Sequence, residues 1–216
     1  MDKTKIAIAL FDKYAIQYQE KYMDLGLYND SLELFCKTVE REYAEILEIA
    51  CGPGNITKYL LRKRPDFKIL GIDLSSRMIG LAKINNPPAE FKIMDCRDID
   101  KIRKKYNAVM CGFCLPYLSK EAALKLISDI SILLKSNGVL YISTMEDDYN
   151  KSGWEGSSSG GGEKMYIHYH QTDYLTKALI ENGFEILDLQ RLESPGENKK
   201  SAKDLVILAK KFKTIT

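Results

Sequence analysis

The run Glu45-Ile46-Leu47-Glu48-Ile49-Ala50-Cys51-Gly52-Pro53-Gly54-Asn55-Ile56-Thr57 carries the strongest chemical signal in the chain. An apolar stretch runs into a glycine turn, and a helical pattern follows. Glycine lets a ligand come close to the backbone, and the first turn of a helix offers N–H groups with no intrahelical partner. The same residues also describe an ordinary strand-to-helix turn. Two phosphate-binding readings fail on residue type. A nucleoside-triphosphate loop needs Gly-Lys-Ser/Thr after its turn, and the chain has no such triplet. A dinucleotide fingerprint needs a third glycine, and Thr57 stands there. Glu48 would repel a pyrophosphate, whereas it suits a cationic ligand.

Two carboxylates follow at similar positions. Asp73 closes the apolar run Gly71-Ile72-Asp73, where it can accept from both hydroxyls of a ribose or else cap the helix that starts near Ser75. Asp95, in Met94-Asp95-Cys96, can accept from an exocyclic amine such as that of adenine, or stand as a solvated loop carboxylate.

The elements that must position these groups follow from periodicity. Residues 4–40 read as helical, with Phe11, Tyr14, Tyr18 and Tyr22 on one face. Strands and helices then alternate: strands over 45–50, 68–73, 90–95, 107–112 and 139–145, and helices over 55–63, 75–84 and 119–135. Ser119 is the expected N-cap of the last of these, and Asn137-Gly138 its stop signal. Such alternation predicts a doubly wound, mainly parallel α/β sheet covered on both faces. Residues 150–164, rich in glycine and serine, read as a mobile loop around Trp154. A strand over 165–170 comes next, then a helix capped by Thr172, and strands over 184–192 and 204–210. The last two have no helix between them and predict an antiparallel hairpin.

Taken together, the three strand ends resemble the class I S-adenosylmethionine-dependent methyltransferases, from about residue 40 onward. The likeness is most specific at residues 47–54 and at Gly71-Ile72-Asp73. It departs at Ala50, where the family commonly has a first glycine. The resemblance implies a Rossmann-like, seven-stranded sheet with a C-terminal antiparallel hairpin and an N-terminal helical cap over residues 1–40. One domain spans residues 1–216, with a substrate-side lid insertion at 150–170. It also implies S-adenosylmethionine as cofactor, S-adenosylhomocysteine as product, and roles for matching positions. Glu48, Ala50, Cys51, Gly52 and Gly54 would surround the amino-acid part of the cofactor. Asp73 would hold the ribose with Leu74 and Met78 beside it, and Asp95 and Cys96 would meet adenine. Cys111 would lie beneath the methionine portion. Tyr14, Tyr18 and Tyr22, which otherwise read as a buried helix face, would cover the cofactor.

His168 and His170 are the only histidines, and alternation places them on one strand face with Tyr166. Histidine can take a proton near neutral pH, so both are candidate catalytic bases, although polar residues of an outer strand fit the pattern equally. Tyr117, Trp154 and Tyr166 are candidates to enclose a compact substrate. Cys111-Gly112-Phe113-Cys114 has metal or redox spacing but no second cysteine pair, so two buried thiols are expected and no metal. Leu115-Pro116-Tyr117 is similar to the ending of base-directed amino-methyltransferases but lacks their polar residue before the proline. The cluster Lys101, Arg103, Lys104 and Lys105 reads as a solvated face.

Composition narrows the class of partner. Among 216 residues, 32 lysines and arginines nearly balance 30 aspartates and glutamates, too even for a chain that tracks a phosphate backbone. The apolar run over 6–11 is too short for a signal-peptide core, and no stretch approaches a membrane span. Five cysteines, an odd number, fit reduced thiols. The expectation is a cytoplasmic enzyme with a small-molecule acceptor and no nucleic-acid or membrane partner. The alternatives are a methyltransferase acting on RNA or protein, or a cofactor-binding module without turnover.

Overall fold

The computed structural model describes residues 3–156, 162–193 and 203–212 of the chain. Helices α1 (Lys3–Lys13), α2 (Ala15–Tyr22) and α3 (Asn29–Thr38) precede β1 (Glu45–Ile49). There follow α4 (Asn55–Lys63), β2 (Lys68–Asp73), α5 (Ser76–Asn85), β3 (Glu90–Ile93), β4 (Tyr106–Gly112), α6 (Lys120–Leu133) and β5 (Leu134–Glu146). The remainder is β6 (Gly153–Gly156), β7 (Lys164–Ile167), α7 (Thr172–Glu181), β8 (Phe184–Leu192) and β9 (Lys203–Lys211). Seven strands form one sheet in the order β3-β2-β1-β4-β5-β9-β8. β3, β2, β1, β4 and β5 pair in parallel, and β9 inserts antiparallel between β5 and β8. This is the doubly wound sheet, hairpin included, that the alternation implies.

Both faces of the sheet are buried, which explains why the central strands are nearly all apolar. One face, with Ile49, Val109, Ile142 and Ile207, packs on Leu126, Ile130 and Leu179 of α6 and α7. The other, with Ile46, Met110 and Tyr141, packs on Phe35 of α3 and Leu60 of α4. Each such side chain contributes about 1.5–3 kcal/mol on burial. The order reverses between β1 and β4, so the cleft of an open α/β sheet falls at their carboxyl ends.

Several local expectations are corrected. The N-terminal helix breaks at Tyr14, whose φ is −107°, so Tyr14 does not share a helical face with Tyr18 and Tyr22. Its hydroxyl instead donates to Glu163. Part of the expected loop at 150–164 is regular: β6 pairs antiparallel with β7, Trp154 opposite Tyr166, while residues 157–161 lie outside the described ones. The strand expected over 165–170 ends at Ile167. Thr172 is the first residue of α7 rather than its cap, and its hydroxyl donates to Glu146. α6 stops at Leu133, before Asn137-Gly138, because β5 already begins at Leu134 against Tyr106. Ser119 does cap α6, accepting from Ala122 N at 3.3 Å. The turn at 194–198 lies outside the described residues.

The glycine loop is shaped by left-handed backbone. Gly52 and Gly54 have φ of 52° and 79°, and Ala50, in the position where the family has a glycine, is also left-handed at 55°. A Cβ on Gly54 would stand 2.3 Å from Asn86 Nδ2 and 3.3 Å from Ala82 Cα. Gly54→Ala should therefore cost about 2 kcal/mol or more, whereas Ala50→Gly relieves left-handed strain and should raise stability or leave it level. Urea unfolding of both variants checks this; a Gly54→Ala protein as stable as the parent contradicts the packing described.

Candidate active site

A cavity opens at the carboxyl edge of the sheet, the place where open α/β sheets bind small molecules. Its floor is made by four consecutive strand ends. Ala50 and Gly52 follow β1, Asp73 and Leu74 end β2, Met94, Asp95, Cys96 and Arg97 follow β3, and Gly112 and Phe113 end β4. Thr4, Ala7, Ile8 and Phe11 of α1 form a roof, with Tyr18 from α2. Met78, Cys114, Tyr117 and Leu118 complete the wall. The sequence reading thus placed Tyr18, Ala50, Gly52, Asp73, Leu74, Met78, Asp95 and Cys96 on one cavity. It missed the α1 residues, Met94, Arg97, Gly112, Phe113, Cys114 and Leu118. Short helices give weak periodic signals, and nothing in the composition of α1 marks which surface it covers.

The carboxylate of Asp73 organises the floor. One oxygen accepts from Gly52 N at 3.0 Å and the other from Ser75 N at 2.8 Å. The cap of α5 is Ser75, whose hydroxyl accepts from Met78 N and donates to Asp12 at 2.6 Å. Asp73 thus ties the loop after β1 to the start of α5, and its carboxylate keeps acceptor capacity for a ligand beyond these backbone donors. Burial raises its pKa, and the backbone N–H groups oppose that shift. Asp95 is paired: it accepts from the Arg97 backbone N–H at 2.8 Å and from its guanidinium through both oxygens.

Six residues read as cofactor-binding do not line the cavity. Tyr14 is turned toward Glu163. Tyr22 lies against Tyr18, ring centroids 4.6 Å apart and planes tilted by 44°, and is not part of the lining. Cys51 packs with Ile79, Ala82 and Phe91, and Cys111 lies in the main core. Gly54 is the left-handed cap of α4. Glu48 is buried beneath the loop, accepts from the Thr57 hydroxyl, and has no partner for Oε1 among the described residues. Desolvation pushes its pKa up to about 8.

The histidines also stand outside the cavity lining. His170 is fully buried, with Nε2 2.8 Å from the Leu115 carbonyl and Nδ1 2.7 Å from the Tyr174 hydroxyl. A carbonyl only accepts, so Nε2 carries the proton and Nδ1 accepts from Tyr174, and both nitrogens are engaged in structure. His168 lies between the rings of Tyr149 and Tyr166, at 5.9 and 4.8 Å, with its backbone N–H bonded to the Pro116 carbonyl and its Nδ1 3.4 Å from the Tyr149 hydroxyl. Burial, then the nearby Lys3 and His170, lower its pKa to about 4. Cys111 and Cys114 are buried thiols; contact with Cys114, then burial, raises the pKa of Cys96, while contact with Cys111 and burial raise that of Cys114 and Cys96 opposes the shift. Among the described residues no cluster of three or more His, Cys, Asp or Glu side chains is arranged to hold a metal ion. No helix among them is long and apolar enough to cross a membrane.

The depressed His168 pKa has a defined consequence for stability. Between about 4 and the ordinary 6.5, the unfolded chain holds a proton that the folded chain does not. The stability contribution is complete above pH 6.5 and is lost as pH falls toward 4. His168→Gln should therefore lose less stability than the parent between pH 7 and pH 4.5. Urea midpoints at the two values measure it; equal losses would show that His168 titrates normally.

Comparison with known proteins agrees with this geometry. A family model described as a methyltransferase domain matches residues 46–138. The malonyl-[acyl-carrier protein] O-methyltransferase of Acetivibrio thermocellus is 31% identical over 136 residues, covering 62% of this chain and 44% of that protein. The trans-aconitate 2-methyltransferase of Enterobacter sp. (strain 638) is 30% identical over 110 residues, covering 51% of this chain and 42% of the other. The chain thus spans less than half the length of these curated relatives. Magnesium protoporphyrin IX methyltransferase from Synechocystis PCC 6803, solved with bound SAM, superimposes with a TM-score of 0.73. That alignment covers 98% of each chain at 16% identity, a likeness of fold.

Proposed function

We propose that this chain, which is built on the class I S-adenosylmethionine-dependent methyltransferase domain, binds S-adenosylmethionine along the carboxyl edge of its sheet and transfers the methyl group to a small-molecule acceptor. The observation that carries the reading is the single cavity in which the loop after β1, Asp73 and Asp95 meet in a row. While the malonyl-[acyl-carrier protein] O-methyltransferase is named for an acyl group borne on a protein, the name of one relative, a trans-aconitate 2-methyltransferase, points the same way. So does the near balance of 32 basic and 30 acidic residues, which gives no excess for a phosphate backbone.

The residues fit such a cofactor. A Cβ on Gly52 would meet only Tyr18, at 3.8 Å, so the backbone there is open to close approach. Asp73 would hold the ribose hydroxyls on its remaining lone pairs. Met94, Cys96, Met78 and Leu118 supply apolar walls for adenine. The unpartnered Oε1 of Glu48 lies beneath the loop and would accept from the amino-acid ammonium once the carboxyl gives up its proton. The bound group supplies an electrophilic methyl on a sulfonium. The protein's own work is then to orient the acceptor and exclude water, which the α1 roof does over an otherwise open sheet edge. Neither histidine lines the cavity, so the reading assigns them no proton transfer at the acceptor.

Calorimetry with S-adenosylhomocysteine tests the reading. NAD binding more tightly than S-adenosylhomocysteine would overturn it. Asp73→Ala should weaken the ligand at least about tenfold, as loss of hydrogen bonds to a charged group costs roughly 1.5–3 kcal/mol each. Glu48 offers an independent signature. With a pKa of about 8, its carboxyl is mostly protonated at pH 7. Engaging an ammonium lowers that pKa and must release a proton. The binding enthalpy at pH 7 should therefore vary with the ionisation enthalpy of the buffer, and Glu48→Gln should remove that dependence. Proton release unchanged in Glu48→Gln would leave Glu48 as a buried neutral acid.

A further inference from the structure

A glycine turn at the start of a helix ordinarily offers a ligand its backbone N–H groups. From Cys51 to Gly54 those groups are already engaged. Cys51 N donates to Ile72 O and Gly54 N to Cys51 O, each at 3.0 Å, and Gly52 N donates to Asp73. Pro53 has no N–H, and the N–H of Thr57, in the first turn of α4, is bonded to Glu48. This stretch of the loop can lie close to the amino-acid end of the cofactor, but it has no N–H left for the carboxylate there. The charged lining residues do not supply one either. Asp73 and Asp95 are acids, and Arg97 is paired with Asp95.

Two phenols of the lining are not engaged. Tyr18 of α2 stands over the loop, its Cε1 3.8 Å from the place of a Cβ on Gly52. Tyr117 lines the same cavity, and Phe11 meets Tyr18 and Tyr117 edge-on at 5.7 and 5.1 Å. Among the described residues neither hydroxyl has a hydrogen-bond partner. Neither is sealed in the core, since the enclosed side-chain oxygens without a partner are Glu48 Oε1 and Thr144 Oγ1. Burial raises the pKa of both phenols, and the neighbouring tyrosines and Asp73 raise it further. Both hydroxyls therefore stay protonated and feel the charge of Asp73 on the cavity floor. Half-buried phenols usually find a partner, and a phenol that cannot ionise keeps its O–H as a donor. At the amino-acid end of the cofactor the group that requires donors is the carboxylate, because the ammonium has Glu48. A lysine or arginine in this place would pair with Asp73. A phenol leaves Asp73 to the ribose.

We propose that the hydroxyls of Tyr18 and Tyr117 hold the carboxylate of the cofactor's amino-acid end, and so select S-adenosylmethionine over its decarboxylated form. The proposal rests on the cofactor reading and assigns a specificity that the engaged loop does not supply. The probes are S-adenosylhomocysteine, its decarboxylated analogue and its deaminated analogue. Each is titrated calorimetrically into the parent protein and into Tyr18→Phe and Tyr117→Phe, which keep the rings and remove only the hydroxyls. The parent should bind S-adenosylhomocysteine at least about tenfold more tightly than the decarboxylated analogue. Each variant should lower that ratio at least about threefold. Affinity for the decarboxylated analogue should stay level in both variants, and so should the ratio of S-adenosylhomocysteine to the deaminated analogue.

A smaller preference in the parent, or a smaller change of ratio in either variant, overturns the proposal. A variant that weakens all the probes alike has lost only a structural contact, which overturns it too. A loss confined to the probes that carry the ammonium puts the phenols on that group and equally overturns it. Failure of the cofactor reading looks different: no adenosine probe then binds the parent protein, and the proposal falls with that reading.

Discussion

The bridge from Asp73 to Gly52 N is the constraint on which the site depends. It joins the carboxyl ends of β1 and β2 through one side chain and, through Ser75 N, fixes where α5 begins. The loop it holds is left-handed at Ala50, Gly52 and Gly54, a geometry that two of its three residues adopt freely and one adopts at a cost. A carboxylate that satisfies two backbone donors and still keeps lone pairs can be both scaffold and ligand group. Helix capping and ribose binding, which the sequence left as alternatives at this position, are therefore compatible.

Around that bridge one cavity combines two kinds of chemistry. Asp73, Asp95 and Arg97 supply its charged lining, and Phe11, Tyr18, Phe113 and Tyr117 supply rings. The roof over both is α1, and the insertion after β5 secures it. Leu10 packs with Met165, Ile167 and Tyr169, Lys3 sits over the Tyr166 ring, and Lys13 and Tyr14 reach Glu163. At the opposite edge Asp12 accepts from Ser75 Oγ and Arg77 N. Apolar contacts and a few polar ties thus hold a short helix across an opening that the sheet alone would leave to solvent.

Burial decides the role of the ionisable groups. His170 has the residue type of a base but spends both nitrogens on Leu115 and Tyr174, and His168 is held neutral between tyrosines. Glu48 has the residue type of a charged ligand, yet desolvation keeps it largely protonated at neutral pH. The hydrogen bond from Tyr28 to Asp204 carried no signal in the sequence because 176 positions separate the two residues, and only the insertion of β9 beside β5 brings them together.

What the sequence determined by itself was everything governed by local pattern. Apolar runs of strand length, the glycine turn, the Ser119 cap and two C-terminal strands without a helix between them were enough for the sheet, its winding and its hairpin. The strand-end carboxylates were equally legible, because strand ends in such a sheet face one edge whatever their neighbours. Tertiary structure decided the rest: the break at Tyr14, the pairing of Trp154 with Tyr166, the roof formed by α1, and the burial of both histidines. The physical reason is the same in each case. Side-chain direction and desolvation depend on contacts between segments far apart in the chain, and periodicity within one segment carries no record of them.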